Sequence, residues 1–440
     1  MKKRLTHIQL IVLGYLLMVM VGTLLLLLPA ASATGKSLGL RTAFFTATSA
    51  SCVTGLVLVP TGSAWSLFGQ LIILLLIQVG GLGFMTIATF FFLFFHKRMG
   101  LSARETMVES LNLSHIDGIQ RFAGKIVRGT LLIEGLGTLL LAIRFIPRYG
   151  FARGLWTSLF HAISAFCNAG FDLFSGREAA SSLMIFHQDW LVNMVIILLI
   201  VIGGLGFLVW DDIMKNRFAW KKYSLHSKLV LSFTGILFFG GALLFFVFER
   251  SQGDATLGTR VLESLFSSAT ARTAGFNTTD TGALTDASKL LTIFLMLVGG
   301  SPGSTAGGIK TTTLAVLFLS LLATFRGEKK ASAYGRSLSH ETVQKSVTVF
   351  LTNAGCACLA ALILCAADGF AALDALFESF SAIGTVGMTT GITGALSPFS
   401  SLLIALLMFM GRVGSVSFSV ALLEKRQKPL QFPEENITVG

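Results

Sequence analysis

Four short segments of this chain place a glycine nine or ten residues after a phenylalanine. They read AFFTATSASCVTGL (43–56), SLFHAISAFCNAGF (158–171), SLFSSATARTAGF (264–276) and ALFESFSAIGTVGM (375–388). Successive glycines are 115, 105 and 112 residues apart, which indicates one structural unit repeated four times. The chemistry open to such segments is that of the backbone, because successive carbonyl oxygens can replace the hydration shell of a monovalent cation.

We predict a ring of carbonyl oxygens built from four glycine segments of three residues each. Only the fourth reads Thr-Val-Gly in full, so the ring would be quasi-symmetric. Each glycine is expected at positive φ, and the short helix before it would aim its partially negative C-terminal end at the cation path. The predicted glycine segments are Val53, Thr54, Gly55; Asn168, Ala169, Gly170; Thr273, Ala274, Gly275; and Thr385, Val386, Gly387.

The rest of the chain is apolar enough to belong in a bilayer. Hydrophobic residues make up 53% of the sequence and charged residues only 13%, which is outside the range of soluble domains. The first apolar stretch, of about twenty residues, is longer than the h-region of a signal peptide and is expected to be retained. Eight stretches approach or exceed the ~20 residues that cross a bilayer: 8–28, 67–95, 126–143, 190–210, 229–248, 290–325, 346–366 and 396–423.

The distribution of Lys and Arg predicts the orientation of these spans. If the chain begins inside and crosses at every span, the inner segments carry 22 of these residues and the outer segments 10. The positive-inside rule then places both termini in the cytoplasm and the protein in the cytoplasmic membrane. The net charge of +12 is explained in this way and does not imply a nucleic-acid partner.

The fold class that follows is an all-α integral membrane protein with eight transmembrane spans. Each unit would consist of a membrane helix, a short pore helix that dips in, a glycine segment and a second membrane helix. Non-helical backbone survives at membrane depth only where protein buries it or water bathes it, so the four units would surround a central pore. The predicted units are 1–98, 99–228, 229–330 with an intramembrane gating loop, and 331–440.

The stretch GGSPGSTAGGIKTTT (299–313) would interrupt the sixth span. Each interior Gly costs a helix about 1 kcal/mol and Pro about 3, so a continuous helix is not expected there. A phosphate-binding Walker loop is disfavoured because Ile309 separates Gly308 from Lys310 and no strand precedes it. The predicted gating residues are Gly299, Gly300, Ser301, Pro302, Gly303, Gly307, Gly308 and Lys310, together with Arg412 of the last span.

Buried charges in the spans leave alternatives open. Arg412 could pair with a carboxylate or with helix-end carbonyls, or it could form an electrostatic barrier that faces the pore. Arg272, directly before the third glycine segment, could pair with Glu263 or Asp280 or could brace the segment from behind. Glu134 could pair with a cation or be a packed carboxyl.

The motifs CVTGL, CNAGFD, RTAGFN and GTVGMT, taken as a set, resemble those of the Trk/Ktr/HKT superfamily of potassium transporters, most closely its KtrB-like members. The resemblance covers nearly the whole chain. It implies potassium as the transported ion, an intramembrane loop that obstructs the pore, and a homodimer on a ring of cytosolic nucleotide-binding, KtrA-like regulatory subunits. In some plant members a Ser at the first filter glycine accompanies sodium preference, and here that residue is Gly55. Sodium as an activator stays open, and no organic cofactor is implied.

Two other classes of protein fit the sequence less well. A secondary carrier with discontinuous helices and alternating access would show inverted repeats and side-chain ligands near the midplane, whereas the repeats here are four and parallel. A membrane enzyme would need a catalytic constellation, and His161 has no partner of that kind in the sequence. Whether transport is channel-like or coupled stays open.

Overall fold

The structure, a computed structural model, describes residues 6–83, 86, 105, 119–176, 182–217, 219–249 and 256–414. Both chain termini and parts of the predicted spans at 67–95 and 396–423 lie outside these residues. The described part is helical apart from one two-stranded hairpin and the connecting loops, which confirms the all-α fold class.

Four long apolar helices, here called the leading helices, open the four repeats. Each is long and apolar enough to cross a membrane. Hydroxyl side chains cap three of them at the N-terminus: Thr6, Ser224 and Ser339 each accept a hydrogen bond from a backbone N–H in the first turn. The leading helices are His7–Leu26, Ile119–Tyr149, Leu225–Phe248 and His340–Asp368.

A short helix follows each leading helix and ends just before a glycine segment. At 12 to 16 residues these helices are too short to cross the bilayer. The repeated phenylalanine of each is at most 1% exposed, so it fastens the short helix to the surrounding helices. The short helices are Leu40–Ser51, Phe151–Phe166, Leu257–Thr270 and Ala372–Gly384.

A trailing helix closes each repeat, and two of the four are interrupted. In the second repeat, Trp190–Leu205 and Phe207–Asn216 meet at Gly206 with a bend of 93°. In the third repeat, Asp286–Leu297 and Thr311–Phe325 are separated by residues 298–310, where the glycines and Pro302 predict a break. The other two are Leu67–Leu82 and Pro398–Val413. Within the described residues, four helices, or five if the bent pair counts as one span, are long and apolar enough to cross a membrane.

Buried side chains join neighbouring repeats in a closed cycle. One apolar cluster contains residues of the first, second and third repeats, among them Ile73, Phe160 and Phe266. A second joins the third and fourth repeats, and a third joins the fourth to the first through Phe45 and Phe380. The leading helices keep large apolar side chains exposed, as expected for a lipid-facing surface.

The hairpin lies between the third and fourth repeats. Its strands, β1 (Ser332–Ala333) and β2 (Arg336–Ser337), pair in antiparallel register. Tyr334 and Gly335 connect them, both at positive φ (51° and 75°), as a two-residue type I′ turn requires.

Candidate functional site

The four glycine segments share one backbone conformation. Their first residues, Val53, Asn168, Thr273 and Thr385, have φ of 57°, 58°, 73° and 50°. Their glycines, Gly55, Gly170, Gly275 and Gly387, have φ of 101°, 68°, 78° and 89°. The middle residue is not in the left-handed region, so handedness alternates along each segment. Positive φ at the glycines was predicted, whereas positive φ at the first residues was not, because β-branched Val and Thr strongly avoid it.

A hydroxyl residue four positions after the repeated phenylalanine anchors each glycine segment. In the first repeat, the carbonyl oxygen of Ser49 accepts a hydrogen bond from the Thr54 N–H (2.8 Å), and its Oγ accepts one from the Gly55 N–H (3.0 Å). In the fourth, Ser381 accepts from Val386 (2.8 Å) and Gly387 (3.1 Å) in the same way. The segment's donors therefore point back toward the short helix.

The second and third repeats use a variant of this anchor. The Ser164 carbonyl accepts from the Ala169 N–H (2.7 Å), and its hydroxyl donates to the Phe171 carbonyl (2.8 Å). Thr270 donates to the Phe276 carbonyl (2.7 Å) and accepts from the Ala274 N–H (2.9 Å). In the sequence, the other three repeats carry a Ser-Ala pair six residues before the glycine, where the third has Ala269-Thr270. Because the third segment lies one residue closer to its helix, Thr270 takes the anchoring position there.

The four glycines contact one another in cyclic order. A Cβ placed on Gly55 would lie 2.5 Å from the carbonyl oxygen of Ala169 in the second repeat. A Cβ on Gly170 would lie 2.7 Å from Ala274 O, one on Gly275 2.4 Å from Val386 O, and one on Gly387 2.0 Å from Thr54 O. These contacts leave no room for a side chain. The structure thus brings all twelve predicted segment residues together in one ring that closes from the fourth repeat back to the first.

The middle residues of the ring carry backbone oxygens without protein partners. Thr54, Ala169, Ala274 and Val386 are each fully buried, and no donor among the described residues contacts their carbonyl oxygens. Buried carbonyls are nearly always paired, so four unpaired ones in a ring require an occupant that supplies positive charge or a proton. The N–H groups of the segments bind the anchoring residues, and the carbonyl oxygen of each middle residue lies against the glycine of the preceding repeat.

The intramembrane loop, residues 298–310, lies directly against one end of the ring. A Cβ on Gly307 would lie 2.1 Å from Thr385 Oγ1, and one on Gly308 would lie 2.9 Å from the Gly384 carbonyl oxygen. The Thr305 hydroxyl donates to the carbonyl of Phe166 (3.0 Å), the last residue of the second short helix. The loop therefore contacts both the second and the fourth repeats.

Backbone hydrogen bonds close the loop on itself and tie it to the bent trailing helix. Gly299 N–H donates to Ile309 O (2.8 Å), and Thr311 N–H donates to Gly300 O (3.0 Å). Across to the second repeat, Ser301 N–H donates to Gly204 O (2.9 Å). Phe207 N–H donates to Gly303 O (2.8 Å) at the 93° bend. The residues on both sides of Pro302, Ser301 and Gly303, are therefore hydrogen-bonded to the second trailing helix.

Two cations border the loop. The Lys310 ammonium donates to the carbonyl of Ala306 (2.8 Å). The Arg412 guanidinium donates to the carbonyls of Thr305 in the loop and of Gly80 and Gly81 at the end of the first trailing helix. The predicted contact of Arg412 with helix-end carbonyls is thus observed, and its role as an electrostatic barrier stays a prediction. The contact links the loop to the first repeat.

The remaining buried charges have local partners. Arg272 contacts the carbonyls of Thr234 (3.4 Å) and Gly299 (3.5 Å), as expected if it braces the third segment from behind. Among the described residues it forms no ion pair with Glu263 or Asp280, so that alternative is wrong. Glu134 is a packed carboxyl that accepts a hydrogen bond from the Gln78 amide (3.2 Å).

The bent second trailing helix carries a charged cluster at its far end. Asp211 contacts Lys125 (3.1 Å) and Lys215 (2.5 Å). Burial raises the pKa of Asp211, but the hydrogen bonds from Lys215 and Lys125 outweigh this effect and hold that pKa below its usual value. The cluster ties Phe207–Asn216 to the second leading helix.

Comparison with known proteins matches the whole chain. The TrkH family model, described as "Cation transport protein", matches residues 9–429. The chain is 40% identical to the potassium/sodium uptake protein NtpJ of Enterococcus hirae, covering 100% of this chain and 98% of that one. It is 38% identical to the Ktr system potassium uptake protein B of Bacillus subtilis, covering 99% and 97%.

A solved structure has the same fold. The crystal structure of the potassium transporter TrkH from Vibrio parahaemolyticus aligns with a TM-score of 0.72, covering 96% of this chain and 86% of that one. The sequence identity is 18%, so this likeness concerns the fold.

Proposed function

The chain belongs to the TrkH family of cation transport proteins, and on that premise we propose that it takes up potassium across the cell membrane through a pore lined by the ring of glycine segments. Members of this family are ion transporters and not enzymes, and the chain is a multi-pass membrane protein. The relatives' names, potassium/sodium uptake protein and potassium uptake protein, support potassium, with sodium either as a second ion or as an activator.

The four unpaired carbonyls of Thr54, Ala169, Ala274 and Val386 carry this proposal. A dehydrated monovalent cation on the axis would interact with all four oxygens at once. The oxygens would then replace the water molecules that surround the cation in solution. The short helices end at the ring and add their partially negative C-termini. Since the four segments differ in sequence, the ring would offer fewer equivalent sites than four identical strands.

The intramembrane loop would obstruct the path on the side of the ring that it contacts. It is held by hydrogen bonds of Ser301, Gly303 and Thr305 to the second repeat. The packing of Gly307 against Thr385 and the contact with Arg412 add to this attachment. Such a loop can leave without unfolding a helix. Lys310 and Arg412 would add positive charge to the closed path and so raise the barrier to a cation.

The assembly proposed from the family resemblance is a homodimer on cytosolic nucleotide-binding subunits, with both termini of this chain in the cytoplasm. The bent helix Phe207–Asn216 supports such control, because it joins the predicted cytoplasmic side to the loop through the Phe207–Gly303 hydrogen bond.

The direct test is flux through purified protein that lacks loop residues 303–306, placed in vesicles, because the intact loop would obstruct the path. With potassium inside and sodium outside, a pore predicts rubidium tracer uptake driven by the potassium diffusion potential alone. The matched control is Gly55→Ser, which would fill the ring against Ala169. Uptake that requires a second ion gradient would favour the alternating-access carrier, and equal uptake by the loop-deleted protein with and without Gly55→Ser would exclude the ring as the path.

A further inference from the structure

A basic and aromatic surface lies where the third leading helix begins. It consists of the turn Trp220–Lys222, the first turns of the helix Leu225–Phe248 and the hairpin. Trp220 is 42% exposed and Tyr334 51%, and their rings meet edge to face with centroids 6.3 Å apart. Large exposed aromatic side chains of this kind, with an apolar body and a polar tip, concentrate at membrane–water boundaries.

The hairpin folds back along the membrane helix. The Tyr334 hydroxyl lies 2.7 Å from Ser232 Oγ, and the Lys228 ammonium sits 5.8 Å above the Tyr334 ring. Ser232 is the eighth residue of a 24-residue helix. Such a helix is about 36 Å long against ~30 Å of hydrocarbon, so its eighth residue lies no farther out than the headgroups. The hairpin tip is therefore placed against the bilayer.

The cations on this surface have no acidic partners. Lys221, Lys222 and Arg336 are exposed, and none forms an ion pair within the described ranges. Elsewhere on the face that the positive-inside rule assigns to the cytoplasm, Lys125 and Lys215 are paired with Asp211, and Lys345 with Glu341. Unpaired positive charge therefore lies directly beside Trp220 and Tyr334.

We propose that this surface binds the headgroup of an anionic phospholipid of the cytoplasmic leaflet. Lys221, Lys222 and Arg336 would contact the phosphate, while Trp220 and Tyr334 would lie along the glycerol and upper acyl region. A bound lipid would hold the hairpin, and with it the link between the third and fourth repeats, against the membrane. The proposal is independent of which ion the protein carries.

The test is quenching of Trp220 fluorescence by brominated lipid. Full-length protein is placed in phosphatidylcholine vesicles that contain rising fractions of brominated phosphatidylglycerol or brominated phosphatidylcholine, and the signal of Trp220→Phe is subtracted. Half-maximal quenching is expected at a lower fraction of the anionic lipid. Substitution of Lys221, Lys222 and Arg336 by Gln should weaken that preference by about fivefold per cation.

A matched triple variant, with Lys125, Lys215 and Lys345 changed to Gln, removes the same charge from paired positions and should keep the preference. Quenching by brominated phosphatidylcholine reports insertion and folding in every variant. Equal quenching by the two lipids, or an equal loss in both triple variants, would overturn the proposal. The same holds if the first triple variant loses association with a cytosolic protein while its lipid preference is unchanged.

Discussion

Each glycine segment holds its first residue in a conformation that costs energy. A non-glycine residue in the left-handed region is destabilised by about 1–3 kcal/mol, more for Val53 and Thr385 than for Asn168 because β-branched side chains crowd the backbone there. The anchoring hydroxyl residues, Ser49, Ser164, Thr270 and Ser381, offset this cost with hydrogen bonds to the segment. Strain of this kind persists only where the surroundings determine the backbone fully.

The four glycines should differ in how much they tolerate a side chain. A Cβ on Gly387 would lie 2.0 Å from a carbonyl oxygen at φ 89°, whereas on Gly170 it would lie 2.7 Å away at φ 68°. We expect Gly387→Ser to reduce the ratio of potassium to sodium uptake at least fivefold, from about 1 kcal/mol or more of strain. Gly170→Ser, the matched control, should reduce it less. Competition of rubidium uptake by the two ions measures this, and an equal effect at both positions would contradict the ring geometry.

Arg412 offers a second prediction at this scale. Its guanidinium links the loop carbonyl of Thr305 to the helix-end carbonyls of Gly80 and Gly81, away from the ring oxygens. Arg412→Gln should therefore raise the maximal uptake rate several-fold while the potassium-to-sodium ratio stays unchanged. Lys289→Gln, which removes a cation near Asp374, serves as the control. An unchanged rate for Arg412→Gln would mean that the side chain only fastens helices.

The intramembrane loop has a defined conformation, and separate contacts attach it to the rest of the protein. Its own closure uses two backbone hydrogen bonds, and four hydrogen bonds with backbone carbonyls as acceptors link Ser301, Gly303 and Thr305 to the second repeat. Each such bond contributes about 0.5–1.5 kcal/mol, so the four together stabilise the attached position by about 2–6 kcal/mol.

Shortening the loop should open the path. Deletion of residues 303–306 removes Thr305 and the Gly303 acceptor, and we expect uptake to rise several-fold at unchanged protein abundance. Thr305→Val, which removes only the hydroxyl contacts with Phe166 and Asn168, should give a smaller increase. Loss of uptake in a folded deletion variant would show that the loop supports the ring instead of blocking it.

The attachment of Phe207–Asn216 should depend on pH. The depressed pKa of Asp211 means that its contacts stabilise the fold above its unfolded pKa, about 4, and that this contribution is lost as the pH falls through the folded pKa. Asp211→Asn should lower the melting temperature in detergent slightly at neutral pH, with no difference at strongly acid pH. A difference that persists in acid would assign the effect to packing.

The sequence predicts the repeated elements better than it predicts the contacts between them. Apolar length and the four Phe–Gly spacings predict the helices and the glycine segments, and the cost of Gly and Pro predicts the break at 298–310. The 93° bend at Gly206 was not predicted, because GGLGF also fits ordinary close helix packing. The partners of Arg272 and Arg412 are backbone carbonyls, and any residue type supplies these, so sequence could not identify them.

Across the whole molecule, the buried clusters and the glycine contacts close the same cycle of four repeats. Each repeat differs from the others, so breaking one contact changes the ring unevenly. The loop comes from the third repeat alone and reaches the second, the fourth and, through Arg412, the first. One loop is therefore linked to all four repeats.

The proposed obstruction by the loop would need an input from outside the chain to release it. A potassium-uptake-deficient cell that expresses this chain alone should grow poorly at low potassium, because the loop stays attached. Co-expression with a cytosolic nucleotide-binding regulatory subunit should restore uptake at least severalfold, and the deletion of residues 303–306 should restore it without that subunit. Potassium uptake at matched protein abundance measures both. Full uptake by the unmodified chain without the regulatory subunit would show that the attached loop does not close the path.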